Sequence, residues 1–219
     1  MGRVAAAFAN NGQGVHGDMK AVVRAVLLDD EARGSSVAVR SDWGKLREPV
    51  LRPAAWARAF GATSVSGNFM IRNVADPSTA LGQNPLRSPS VFNFYRSGYV
   101  PPSAGIATAG LVAPEFQTTG ETSVAGYLNF MRNVVNNGVG TSTDVRSSYA
   151  TELGLAGNAE QLVNRLKLLL AADQMSDATR ALILDAVNSI PMSASNAVLN
   201  RVKLAVYLTL ARPEFIVQK

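Results

Sequence analysis

NAEQLVNRLKLLLA, at residues 158–171, has the apolar spacing of an amphipathic α-helix. Its apolar side chains recur three or four positions apart, so they share one face of a helix with 3.6 residues per turn. Asn158 stands at the expected N-cap, where a side-chain oxygen accepts a hydrogen bond from a free amide of the first turn. The predicted stripe consists of Leu162, Val163, Leu166, Leu169 and Leu170.

The same spacing continues toward the C-terminus. Ser176 is expected to cap a helix that Pro191 stops, because proline cannot donate the next backbone hydrogen bond. Ser193 or Ser195 is expected to open one more helix, which ends near Pro213. The connections between these last three helices are short, which favours antiparallel neighbours.

Toward the N-terminus, further segments have a helical period. Asp18 is expected to cap one helix and Gly34 to stop it in the left-handed conformation, and Gly138 is expected to end another helix. No strand alternation accompanies them, so the sequence predicts an all-α class, an irregular helical bundle of five to seven helices. These additional predicted helices cover residues 4–8, 18–33, 53–60 and 121–137.

Composition narrows the possible chemistry. With 219 residues, 47% of them hydrophobic, the chain is long enough to bury a core. It has no cysteine, which excludes disulfides, thiolate metal sites and a cysteine nucleophile. His16 is the one histidine, which excludes a multi-histidine metal site, and it is expected to be a turn residue rather than a catalytic one. No apolar run is long enough to predict a transmembrane helix.

The basic excess is modest and dispersed. The 21 Lys and Arg residues outnumber the 16 Asp and Glu residues, giving a net charge of +5, and they lie scattered along the chain. A nucleic-acid surface needs clustered basic side chains, frequently interleaved with aromatic ones. The distribution therefore argues against a nucleic-acid partner and favours ordinary solubility charge.

Residues 61–120 differ in kind from the rest of the sequence. They hold six of the ten prolines, seven of the 18 glycines and six of the 15 aromatic residues. Disordered linkers are poor in aromatic residues, whereas long irregular segments inside domains are commonly functional. We therefore expect a long ordered loop region that packs on the helices.

Within this region, the loop at residues 84–99 contains candidate ligand-binding residues. Arg87 and Arg96 are able to hold a carboxylate or phosphate, with Asn93 and Tyr95 hydrogen-bonding beside them. Ser88, followed by a proline, predicts one helical turn. The alternative is that the loop is purely structural, with its arginines bonding buried carbonyls and its rings, Phe92, Phe94 and Tyr99, acting as anchors.

A second constellation contains two carboxylates. Glu115 and Glu121 flank a glycine, and a carboxylate pair is what general acid–base catalysis or a calcium site requires. The alternative is helix capping, in which Thr119 or Thr122 starts the helix and Glu121 complements the dipole of its first turn. The sequence assigns no catalytic residue, no metal ligand and no cofactor.

Six stretches, in order along the chain, resemble the bacterial domain-of-unknown-function family numbered 1800. The resemblance implies a largely helical protein without an established activity. The stretches are GDMKAVVRAVLLDDEAR (17–33), REPVLR (47–52), NPLRSPSVFNFY (84–95), GLVAPEF (110–116), ETS (121–123) and RPEFIVQK (212–219).

The resemblance also carries expectations about context. Family members look longer and are usually exported, so residues 1–219 are expected to be a single helical domain or the C-terminal fragment of a larger one, prone to self-association. Members are commonly encoded beside another exported protein that resembles the alkaline phosphatase superfamily, which makes that protein a candidate partner. A binding or scaffolding role toward a partner protein or surface polymer is one hypothesis. The other hypothesis is that the chain is part of a hydrolase-like enzyme, whose site is completed by a missing N-terminal region.

Overall fold

In the computed structural model, which describes residues 1–40, 42–102 and 104–219, the chain is predominantly helical. Two 3-10 helices, Pro114–Thr118 and Thr141–Thr143, accompany the α-helices. Over the described residues the α-helices are α1 (Gly2–Ala9), α2 (Met19–Leu27), α3 (Asp30–Arg33), α4 (Ser35–Ala38), α5 (Leu51–Ala59), α6 (Gly105–Thr108), α7 (Glu121–Asn137), α8 (Ala150–Leu155), α9 (Ala159–Ala171), α10 (Asp177–Asn188), α11 (Ala197–Leu210) and α12 (Pro213–Ile216).

Four two-residue strands form two antiparallel ribbons. In the first ribbon, Leu46 lies opposite Val217, and in the second, Ser64 lies opposite Val145. Across the described ranges no larger sheet forms, so the strands only tie distant segments together. The strands are β1 (Lys45–Leu46), β2 (Thr63–Ser64), β3 (Val145–Arg146) and β4 (Val217–Gln218).

Twelve α-helices in the described residues exceed the predicted five to seven. Seven of the twelve have eight or more residues, and the short ones carry too few apolar positions to show a period. The helix predicted over 18–33 is divided, because the Asp29 carboxylate accepts the Glu31 N–H and caps a new helix, α3. Gly34 is not left-handed, since its φ is −65°, and the prediction of a left-handed stop was wrong.

Several predicted helix ends are confirmed. The Asp18, Asn158 and Ser176 side chains each accept a hydrogen bond from a backbone N–H of the first turn of α2, α9 and α10. Gly138 ends α7 with a φ of 89°, a conformation that suits glycine. The start of α11 was predicted wrongly, because its N-cap is Asn196 rather than Ser193 or Ser195.

The chain divides into two compact units, Met1–Gly44 with Lys219, and Lys45–Gln218. In the first unit α1 packs on α2, and Arg3 donates two hydrogen bonds to Asp29, from Nε to Oδ2 at 2.6 Å and from Nη2 to Oδ1 at 2.5 Å. Arg3 thereby ties α1 to the turn that follows α2. No residue of α2 is buried, so its apolar stripe is largely exposed.

The core of the second unit lies between α5, α7, α9, α10 and α11. Trp56 is buried and donates its Nε1–H to the Tyr149 hydroxyl at 2.8 Å, so the largest core side chain has a polar partner. The apolar stripe predicted for α9 is buried except at its Leu169 edge. Other fully buried side chains come from several helices: Met131, Leu162, Leu166, Ile183, Leu210 and Phe215.

Within the second unit, the 61–120 segment is packed against the core by a short aliphatic and polar stretch, Val74–Asn84. Val74, Leu81 and Gln83 are at most 3% exposed, and the Leu81 amide donates to the Val74 carbonyl at 3.1 Å. At Gly126 of α7 an added Cβ would lie 2.1 Å from the Pro77 carbonyl oxygen, so this helix and the segment touch backbone to backbone.

Phe92 does not provide the anchor that the structural alternative assigned to it. Phe92 is 80% exposed and Phe69 is 55% exposed, whereas Phe94 and Tyr99 are half-buried. The role of Phe92 as a loop anchor was therefore predicted wrongly.

Candidate functional site

A cleft of about 890 Å³ lies between residues 89–97 and the 3-10 helix Pro114–Thr118. Four of the seven predicted ligand-binding residues line it, namely Asn93, Tyr95, Arg96 and Glu115. The cleft therefore collects residues from both sequence constellations, which are about 20 positions apart.

Two hydrogen bonds from backbone N–H groups join the two walls of the cleft. The Arg96 N–H donates to Gln117 Oε1 at 2.8 Å, and the Ala113 N–H donates to the Tyr99 carbonyl at 2.9 Å. Asn93 has a φ of 77°, in the left-handed region that asparagine tolerates better than most residues. These features give the irregular loop one defined path along the cleft.

Tyr95 connects the cleft to a partly buried polar cluster. Its hydroxyl donates to Glu48 Oε1 at 2.9 Å, and the other Glu48 oxygen accepts from the Gln83 amide. Gln83 Oε1 in turn accepts the Val50 N–H at 3.1 Å. Burial and the hydrogen bond to Glu48 raise the pKa of Tyr95 to about 12, so the phenol is neutral at physiological pH.

Glu48 is a site residue that the motif analysis did not assign. It lies 47 positions from Tyr95, and no local spacing connects the two residues. The available signal was its place in REPVLR, one of the stretches that carry the family resemblance.

Three predicted site residues lie away from the lining of the cleft. Arg87 is exposed at the loop tip, and Ser88 donates its hydroxyl to the Ser90 carbonyl at 2.9 Å, closing a turn. The helical turn predicted there does not form, and the Ser88 hydroxyl bonds the Ser90 carbonyl instead of capping a helix. Glu121 is exposed in the first turn of α7, as the capping alternative expected, but the N-cap of that helix is Gly120 rather than either threonine.

The cleft suits binding chemistry. Arg96 offers a cation, Glu115 an anion, and Asn93 hydrogen-bonding groups, along a partly apolar wall. Over the residues that the structure describes, its lining contains one carboxylate residue, Glu115, and no histidine. His16 lies in the other unit, edge-on to Phe8 with ring centroids 4.8 Å apart.

The described residues contain no group of three or more His, Cys, Asp or Glu side chains placed to hold a metal ion. None of their helices combines the length and apolar character needed to cross a membrane.

Comparison with known proteins gives a family. Searches against curated proteins and against solved structures returned no match. A family model described as "Protein of unknown function (DUF1800)" matches residues 1–217, nearly the whole chain. The chain therefore belongs to the DUF1800 family.

Proposed function

We propose that this chain is a binding protein, which docks a partner protein through the tip of the 84–99 loop and the adjacent cleft. The observation that carries the proposal is the exposure of three large apolar side chains on one loop. Leu86, Val91 and Phe92 are 104%, 94% and 80% exposed. Clustered exposed apolar side chains commonly mark interaction surfaces, and aromatic residues are frequent anchors in them.

The charges around this tip add specificity. Arg87 is exposed beside Leu86, and Arg96 is exposed at the cleft. Arginine and aromatic residues are both enriched in protein interfaces, where arginine pairs with carboxylates in a planar, bidentate geometry. These features favour a partner whose surface combines an apolar pocket with acidic residues.

The loop is also pre-ordered, which favours affinity. Tyr95 bonds Glu48, and the Arg96 backbone bonds Gln117, on either side of the cleft. Binding then immobilises few additional backbone torsions, so less conformational entropy opposes association.

The candidate partner is the co-encoded exported protein that family members are expected to have. The test measures its affinity for the purified chain by calorimetry, for wild type and for Phe92→Ser. We expect the substitution to weaken binding by about tenfold or more, as truncation of an aromatic anchor does.

Leu168→Ser is the matched control, because Leu168 is 65% exposed on α9, away from the loop. It is expected to leave the affinity unchanged. Equal affinities for wild type and Phe92→Ser, or no association of the intact folded chain, would refute the proposal.

The enzyme alternative has weaker support. It requires Glu115 and Glu121 to cooperate, yet in the described structure the cleft is lined by Glu115 and not by Glu121. General acid–base catalysis by a carboxylate pair needs both groups within reach of one substrate. A binding role requires only the groups that line the observed cleft.

A further inference from the structure

A second and smaller cavity, of about 270 Å³, lies on the other side of the 3-10 helix Pro114–Thr118. Its walls are largely aliphatic and aromatic, with hydroxyl side chains of Thr118, Thr119 and Ser123 among them. The exception is a charged residue, Arg52 of α5, which is 6% exposed and lines this cavity. The apolar walls include Leu46, Leu81, Phe116, Leu128 and Ile216.

Arg52 has a defined position, but most of its N–H donors have no hydrogen-bond partner among the described residues. Its Nε donates to the Arg47 carbonyl at 3.0 Å, and its guanidinium carbon lies 4.6 Å from the centre of the Tyr127 ring. Tyr127 is fixed in turn, because its hydroxyl donates to the Leu210 carbonyl at 2.7 Å. Of the five N–H donors of a guanidinium, only the one on Nε has a partner among the described residues.

The free donors of Arg52 face accessible space. Every fully buried side-chain nitrogen or oxygen in the described residues has a hydrogen-bond partner, except Glu214 Oε2. The unbonded Nη atoms of Arg52 are not in that set, so they retain some solvent access, and Arg52 lines the cavity.

The charge of Arg52 is also unbalanced. No acidic side chain of the described residues pairs with it, and a second cation, Arg47, which stacks on Phe215 at 4.4 Å, acts on it repulsively. Burial, with a further contribution from Arg47, lowers the pKa of Arg52. Burying an unpaired cation costs free energy, and an anion bound in the cavity would offset that cost.

Arg201 shows the structural use of a buried arginine in the same unit. It is 7% exposed and donates to two carbonyl oxygens, from Nε to Ile190 at 2.8 Å and from Nη1 to Ala156 at 3.2 Å. Arg52 makes one such bond and keeps its outer edge free. This difference separates a structural arginine from one available to a ligand.

We propose that this cavity binds a small apolar carboxylate, whose head group pairs with the Nη edge of Arg52 and whose tail lies against Leu81, Phe116 and Leu128. A carboxylate matches the planar guanidinium edge through two parallel hydrogen bonds. The cavity volume falls just below the range of about 300–1,000 Å³ for small-molecule sites, so the tail is short. The carboxylate belongs to a free acid or to the C-terminus of an apolar peptide.

Calorimetry with sodium octanoate on the intact chain tests this site. Octanoate is expected to bind with a one-to-one stoichiometry. Octanamide, which has the same tail without the charge, is expected to bind about tenfold more weakly or worse, since a hydrogen bond between charged groups is lost. Acetate, which lacks the tail, is expected to bind more weakly than octanoate as well.

Three variants locate the binding. Arg52→Gln is expected to weaken octanoate binding about tenfold or more. Val124→Trp, at a half-exposed position on the cavity wall, is expected to block it without disturbing the core. Arg58→Gln, at an exposed arginine of the same helix, is the matched control and should leave binding unchanged.

The source of the carboxylate is distinguished by a second pair of probes, an acetylated Ala-Leu dipeptide with a free or an amidated C-terminus. Tight binding of the free dipeptide with weak octanoate binding assigns the site to a peptide terminus, and the reverse assigns it to a free acid. Should neither carboxylate bind, or should octanamide match octanoate in affinity, the proposal is wrong. Octanoate binding that survives Val124→Trp would overturn it even if Arg52→Gln does not fold.

Discussion

Arg52 and Arg201 are two buried arginines with different consequences for stability. Arg201 satisfies two carbonyl oxygens, so removing it leaves buried acceptors without donors. Arg52 satisfies one and carries a charge that no acidic side chain of the described residues balances. Stability alone does not account for a buried, unpaired charge, whereas a binding role does.

The first prediction compares Arg52→Met with Arg201→Met by chemical denaturation. Arg201→Met is expected to lower the free energy of unfolding by about 2–3 kcal/mol, because two buried carbonyls lose their partners. Arg52→Met is expected to leave it within about 1 kcal/mol of wild type or to raise it, because the desolvation cost of the charge disappears. A loss for Arg52→Met as large as that for Arg201→Met would show that Arg52 is structural.

The second prediction concerns Asp29. The hydrogen bonds from Arg3, with that from the Glu31 N–H, lower the pKa of Asp29 to about 2. Because this pKa is depressed, the stabilising contribution is present above the ordinary pKa of about 4 and is lost as the pH falls through about 2. A carboxyl-carbon NMR titration should place the Asp29 midpoint near pH 2.

Arg3→Ala provides the control for Asp29. It should move the Asp29 midpoint upward while leaving Asp18 depressed, because the pKa of Asp18 is lowered mainly by the Asn11 side chain. An unchanged Asp29 midpoint in Arg3→Ala would mean that the ion pair does not form in solution.

At the scale of elements, the sequence predicts local features well. The caps at Asn158 and Ser176 and the stop at Gly138 depend on one residue and its own turn, so their chemistry is visible in the sequence. The break at Asp29 was missed because no glycine or proline interrupts residues 18–33. Single-turn helices such as α6 were missed because they are too short to show a period.

The candidate site was less predictable, because its contacts join distant parts of the chain. The arginines, asparagine and tyrosine of the loop were identified by residue type, but Glu48, the partner of Tyr95, was not. Similarly, Arg52 directly precedes the helix predicted over 53–60, and nothing local indicates that its guanidinium lies over the Tyr127 ring. Such pairs are set by tertiary packing, which local spacing does not encode.

The third prediction tests how the 61–120 segment meets α7. Gly126→Ala places a Cβ against the Pro77 carbonyl, and we expect a net loss of about 1–3 kcal/mol, since overpacking outweighs the gain in helix propensity. Gly154→Ala in α8 is the matched control, because nothing lies within 4 Å of its added Cβ. Thermal unfolding should show destabilisation for the first variant and equal or higher stability for the second. Stabilisation by both variants would mean that the segment does not contact α7.

For the whole molecule, the exposed apolar face of α2 bears on association. Met19, Val23, Val26 and Leu27 are each at least half exposed on one side of this helix. We expect the chain to self-associate, and Val23→Gln with Leu27→Gln to reduce the association measured by analytical ultracentrifugation. Leu182→Gln, at an exposed position of α10, is the control. A monodisperse wild-type monomer over a wide concentration range would contradict this prediction.

Both the cleft and the Arg52 cavity depend on residues 61–120 keeping one ordered conformation within the second unit. Amide hydrogen exchange measures this most directly, because exchange is slow only where backbone hydrogen bonds persist. We expect slow exchange at Ala80, Leu81 and Ala113, whose amides donate to the Asp76, Val74 and Tyr99 carbonyls. Exchange at these three amides as fast as in an unstructured chain, with α9 protected, would contradict it.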